Sequence, residues 1–116
     1  RCDVIHVCDV DSRTITKCID GLKEIQLTKA EGFKDFRRSL DNRDVDAFVI
    51  AAPDHWHTPA SIMAMQAGKH VYVEKRCSHN PNEANFLLKQ PIIMEKLFKW
   101  EIKEDLGLML LKELLL

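Results

Sequence analysis

Val45-Asp46-Ala47-Phe48-Val49-Ile50-Ala51-Ala52-Pro53-Asp54 contains the clearest strand of this chain. After Asp46 its apolar residues run on without alternating with polar ones, the pattern of a strand covered on both faces of a parallel sheet. Pro53 and Asp54 end it. Downstream, Thr58-Pro59 offers an N-cap with proline at the first helical position, Ile62, Met65 and Gln66 continue a helix, and Gly68 stands where a glycine closes one. His70-Val71-Tyr72-Val73-Glu74 is a second strand. Asn80-Pro81-Asn82-Glu83 then has the spacing of a capping box and opens a helix with Ala84, Leu87 and Leu88, which Pro91 is expected to end.

Upstream, the β-branched run Val4-Ile5-His6-Val7-Cys8 stops at Asp9, and Asp11-Ser12 supplies a cap. Ile15, Cys18, Ile19 and Leu22 follow at helical spacing, with Gly21 read as the close of that helix. A weaker strand is expected around residues 31–34, and Asp35 caps a short helix holding Phe36 and Leu40. Strand and helix thus alternate with connections of a few residues, which predicts βαβ units, a parallel sheet and right-handed crossovers. Ligands of such sheets sit beyond the C-terminal ends of the strands. The richest of these ends are Ala51 to His57 and Val73-Glu74-Lys75-Arg76.

The chain has 116 residues, 46% hydrophobic and 30% charged, with a formal net charge of −1. That is one domain or a piece of a larger protein. Seventeen basic residues against 18 acidic ones, with no long basic run, give no footprint for nucleic acid or an anionic membrane surface. Cys2, Cys8, Cys18 and Cys77 form no C-x-x-C pair and read as reduced thiols, so a cytoplasmic setting is expected. From Ile92 the character changes: Ile93, Leu97 and Trp100 predict an amphipathic helix, and Leu106 to Leu116 is too short and too interrupted to span a bilayer.

Ala52-Pro53-Asp54-His55-Trp56-His57, followed by Ala67-Gly68-Lys69-His70-Val71-Tyr72-Val73-Glu74-Lys75, resembles the Rossmann domain of the Gfo/Idh/MocA oxidoreductases. The resemblance runs from about Val4 to Gln90 and takes in Cys8-Asp9-Val10-Asp11, Phe33-Lys34-Asp35-Phe36 and Asp44-Val45-Asp46-Ala47. It implies an α/β fold: a partial doubly wound parallel-sheet Rossmann domain over residues 1–90, lacking its first strand, with a divergent amphipathic helical tail over residues 91–116. G-x-G-x-x-G occurs nowhere in these residues, and on the resemblance the first strand and its phosphate-binding turn lie before Arg1. Strand order would follow 3-2-1-4-5-6.

The family moves a hydride between NAD(P) and a hydroxyl carbon of a sugar or cyclitol, and some relatives use bound NAD in redox-assisted glycoside cleavage. By resemblance the partner is a nicotinamide dinucleotide, and the substrate of the full-length relative is small and carbohydrate-like. Asp9 would accept hydrogen bonds from the adenosine ribose and favour NAD over NADP, because a carboxylate repels a 2′-phosphate. Read alone, Asp9 is a turn or capping residue. Ala52, Pro53, Asp54 and His57 would line the nicotinamide side, and Glu74-Lys75 would match the family's E-K-P motif. Lys75 is then the catalytic candidate, its ammonium hydrogen-bonding the reacting hydroxyl; an isolated Glu-Lys is an ordinary ion pair.

His55 and His57 form an H-x-H pair without a third ligand, so no metal site is assigned. Trp56 is expected to pack over the following helix. Arg76 stands where the family has proline and is expected to disturb the geometry of Lys75. Residues 1–116 alone are expected to show no turnover. The contrasting reading is a degenerate, non-catalytic Rossmann-like module whose Leu-rich tail serves homo-oligomerisation or partner binding.

Overall fold

The computed structural model describes residues 2–94 and 98–100. They fall into two compact units, one within residues 2–39 and one within residues 40–94 and 98–100.

The first unit opens with strand β1 (His6–Cys8), pairs it in parallel with β2 (Glu31–Phe33), and crosses between them through helix α1 (Ser12–Lys23). Glu31 N–H donating to the Ile5 carbonyl at 2.9 Å and Asp9 N–H to the Phe33 carbonyl at 3.2 Å extend the ladder past both ends. Asp11 caps α1 as expected, its side chain accepting from the Arg13 backbone N–H at 2.8 Å. Ile15 and Leu22 of the predicted stripe are buried. Gly21 lies inside the helix instead of ending it, and Glu24 closes the last turn by donating to the Gly21 carbonyl. A glycine ends a helix by taking a left-handed conformation, which Gly21 does not adopt. The short helix after Asp35 is a 3-10 turn, Phe36–Ser39.

In the second unit, β3 (Ala47–Ile50), β4 (His70–Val73) and β5 (Phe98–Trp100) form a parallel sheet in that order. Helix α2 (Asp54–Gln66) crosses from β3 to β4, and α3 (Pro81–Met94) lies between β4 and β5 in sequence. Its core is Val45, Ile50, Ala60, Ala64, Met65, Val71, Val73 and Leu87. Gly68 adopts a φ of 79° after α2, the left-handed closure its position predicts. The capping box at α3 forms, with Asn80 Oδ1 accepting from the Glu83 N–H at 3.0 Å; Glu83 reaches back to the N–H of His79, one residue earlier than the usual box. The pairings match the expected order for the strands that were predicted, second with third and fourth with fifth.

Three expectations are corrected. α2 starts at Asp54, four residues before the predicted cap, with Pro59 inside it. Bonds from its first turn to other segments, described below, outweigh the local preference for a boundary at Thr58-Pro59. α3 continues one turn past Pro91, anchored on α2 by a buried Leu87. Residues 98–100 form a strand where a helix was predicted, pairing Phe98, Lys99 and Trp100 with Val71, Tyr72 and Val73. An aromatic pair at alternate positions suits a strand once a parallel partner edge is present. The rest of the predicted helical tail, residues 101–116, lies outside the described residues. Among the described residues no helix is long and apolar enough to cross a membrane.

Candidate functional site

The end of β1 carries Asp9, half-buried, in a turn of its own making: Oδ1 accepts the Asp11 backbone N–H at 2.7 Å. That bond orients the carboxylate and leaves Oδ2 as an acceptor. Val10 beside it is 86% exposed. Asp11 is a bidentate partner of the Arg13 guanidinium, with Nη2 to Oδ2 at 2.8 Å. Arg13's side-chain and backbone bonds hold the Asp11 carboxyl below its ordinary range, with help from Lys34. Asp35 shows the same arrangement more strongly, brought down to about 2 by the Arg37 guanidinium and backbone N–H. On the strand itself, burial pushes the Cys8 thiol up, a shift partly offset by a hydrogen bond with Ser39. Ser39 Oγ also bonds His6 Nδ1 at 2.8 Å, and the His6 ring meets Phe33 edge-on at 4.9 Å.

In the second unit the ends of β3 and β4, neighbours in the sheet, both lead into exposed loops. The first turn of α2 is fastened to the loop after β4 through consecutive positions. Asp54 Oδ2 pairs with the Arg76 guanidinium at 3.4 Å. His57 Nδ1 lies 2.5 Å from the Arg76 carbonyl oxygen, and Thr58 Oγ1 donates to the Cys77 carbonyl at 3.1 Å. His57 Nε2 meanwhile lies 2.6 Å from the carbonyl of Ala52, where the chain leaves β3. His57 is 1% exposed and Thr58 3%. Their polar atoms face backbone oxygens, and burial without such partners would be costly.

Ala52, Pro53, Glu74 and Lys75 are exposed and Asp54 is half-buried, so both strand ends present polar residues at the surface. The Lys75–Arg76 peptide is cis. The Arg76 carbonyl faces His57 and its guanidinium pairs with Asp54. Trp56 does not pack away as predicted. It is 48% exposed, tilted against His55 at 6.2 Å. Among the described residues no group of three or more His, Cys, Asp or Glu side chains could hold a metal ion.

The sequence pattern singles out Asp54, His57 and Lys75, and the structure places all three at the C-terminal ends of β3 and β4. Asp9 occupies the corresponding position after β1 in the first unit. Sequence reasoning missed Thr58 and Cys77. Thr58 reads locally as a cap, and nothing in its neighbourhood reveals a carbonyl partner 19 residues away.

Comparison with known proteins identifies the family and the fold. Residues 1–91 match the family model described as oxidoreductase family, NAD-binding Rossmann fold. The chain belongs to the Gfo/Idh/MocA family. This Gfo/Idh/MocA domain is 36% identical over 75 residues to glycosyl hydrolase family 109 protein 2 of Shewanella sp. strain ANA-3, a match covering 61% of the chain and 16% of that protein. It is 26% identical over 85 residues to an alpha-N-acetylgalactosaminidase of Tannerella forsythia, covering 69% and 18%. The chain thus spans less than a fifth of the length of these curated relatives. Its fold is that of the WlbA dehydrogenase from Chromobacterium violaceum, solved in complex with NADH and UDP-GlcNAcA, at a TM-score of 0.76 and 22% identity over 85% of this chain and 27% of that one.

Proposed function

We propose that this chain is part of an NAD-dependent enzyme that moves a hydride at a hydroxyl carbon of a small carbohydrate-like substrate, with Lys75 at the reacting hydroxyl. The supporting observation is the juxtaposition at the ends of β3 and β4, where Asp54 and an exposed Lys75 stand on loops tied together by His57 and the Asp54–Arg76 pair. The donor set fits a nicotinamide dinucleotide. Asp9 Oδ2 would accept from the adenosine ribose hydroxyls; in the other unit Asp54 would meet the nicotinamide ribose, and exposed Ala52 and Pro53 would let a flat ring approach. When bound, the nicotinamide supplies the hydride acceptor or donor. Lys75 then donates a hydrogen bond to the hydroxyl oxygen and eases its alkoxide character. Glu74 precedes Lys75 at the same strand end and is likewise exposed.

NAD is favoured over NADP because Asp9 meets a 2′-phosphate with like charge. Saturation-transfer NMR with NADH and NADPH tests the reading on this chain. NADH ribose and nicotinamide protons should receive magnetisation, NADPH less, and Asp9→Asn should weaken NADH about tenfold, a loss of about 1.4 kcal/mol. Equal response to both cofactors, or no effect of Asp9→Asn, refutes the assignment.

A second reading keeps the same residues and changes the outcome. The curated relatives bear hydrolase names, an alpha-N-acetylgalactosaminidase among them, which supports glycoside cleavage on an amino-sugar substrate with the cofactor returned to its starting state. A dehydrogenase accumulates reduced nicotinamide as substrate is consumed. The hydrolase releases free sugar with no net change in near-ultraviolet absorbance.

A further inference from the structure

We propose that His57 is a positioning residue, a clamp that fixes the β3-end loop against the β4-end loop and through the Arg76 backbone aims Lys75. The aim at Lys75 rests on the reading of that lysine given above; the clamp itself does not. Both atoms facing the ring are backbone carbonyl oxygens, of Arg76 at 2.5 Å from Nδ1 and of Ala52 at 2.6 Å from Nε2. A carbonyl oxygen only accepts, so the ring N–H donates to the carbonyl it faces while the ring itself fills the space between the two loops.

With the ring 1% exposed, water is shut out of the contact and cannot stand in for the ring. The ring sits between the residue that leaves β3 and the residue that follows Lys75, so one side chain sets the span between the two halves of the candidate site. Asp54 and the Arg76 guanidinium pair with each other at 3.4 Å and add a second tie between the same loops. Thr58 seconds the grip at Cys77, one residue further along.

NMR on the unaltered chain and on His57→Phe and His57→Gln tests this without any cofactor. In the unaltered chain the ring N–H should exchange slowly with solvent, and the backbone of 74–77 should be rigid, with an order parameter of about 0.85. His57→Phe keeps a ring and removes the donor, so order at 74–77 should fall below about 0.6 while β3 and β4 amide signals persist. His57→Gln, whose amide has two N–H groups, should restore order in part. A ring N–H that exchanges freely with solvent in the unaltered chain overturns the clamp, as does a folded His57→Phe chain with an unchanged 74–77 loop. The ring measurement needs no variant and decides the matter even where His57→Phe does not fold. NADH saturation transfer on the same samples separates the two ideas: intact clamp signatures without NADH contact remove the cofactor reading and leave the clamp standing.

Discussion

Replacing Gly32 by alanine should loosen α1 from β2. A Cβ built on Gly32 would lie 2.3 Å from Ile15 Cγ2 and 3.2 Å from Ile19 Cδ1. Carbon atoms in contact settle at about 3.5 to 4.0 Å, so the first approach is short by more than about 1 Å. The Ile19 methyl ends a flexible chain and can swing away. Ile15 Cγ2 cannot, because it branches at Cβ and a helix leaves isoleucine essentially one χ1 state. The helix must therefore lift, or Ile15 must leave its rotamer, at an overpacking cost of about 1 to 3 kcal/mol. The lower entropy of the unfolded alanine chain returns about 0.4 to 1 kcal/mol. The net expectation is a loss of about 1 to 2 kcal/mol in urea denaturation followed by circular dichroism. Because α1 begins at Ser12, directly after the Asp9 turn, the same variant should also shift the Asp9 amide signal. Ile15→Ala removes the colliding methyl, so in that background Gly32→Ala should cost about 1 kcal/mol less, a coupling that a double-mutant cycle resolves. A neutral Gly32→Ala, or strictly additive effects, would refute this account of how the helix seats on the strand.

Thr58→Val keeps the shape of a 3% exposed side chain and strips its bond to the Cys77 carbonyl; it should cost about 1 to 2 kcal/mol in the same denaturation assay. Asp11→Ala should fray the first turn of α1, seen as faster amide exchange at residues 13–15, whereas Asp11→Asn retains the cap and should not. Asp35 titrates near 2 in the folded chain against an ordinary 3.8, so its contribution is fully present above 3.8 and disappears as pH falls through about 2. Arg37→Gln should return the Asp35 carboxyl 13C titration toward 3.8. Added salt should reduce the shift, because the pair is exposed.

The parts of this fold visible in the sequence are those fixed by neighbours along the chain. The continuous apolar run before Pro53, the cap at Asp11 and the stripe that buries Ile15 and Leu22 each carry their own local signal. The start of α2 carries a misleading one, since Thr58-Pro59 looks like a boundary until bonds to Ala52, Arg76 and Cys77 hold four earlier residues in the helix. β5 was invisible for a related reason: a short strand exists only by virtue of the edge it joins, here Val71 to Val73. The site divides the same way. Asp9, Asp54 and Lys75 stand after strands, and it was the family resemblance that singled them out. The bonding of His57 could not be foreseen, because one of its partners is a main-chain atom 19 residues away.

The grip on the loop after β4 falls on oxygens that every amino acid carries. Such a hold is indifferent to what the side chains at 76 and 77 are, and it asks for donors at 57 and 58 alone. A substitution at 76 or 77 therefore leaves these backbone acceptors in place, whereas one at 57 or 58 removes what holds them.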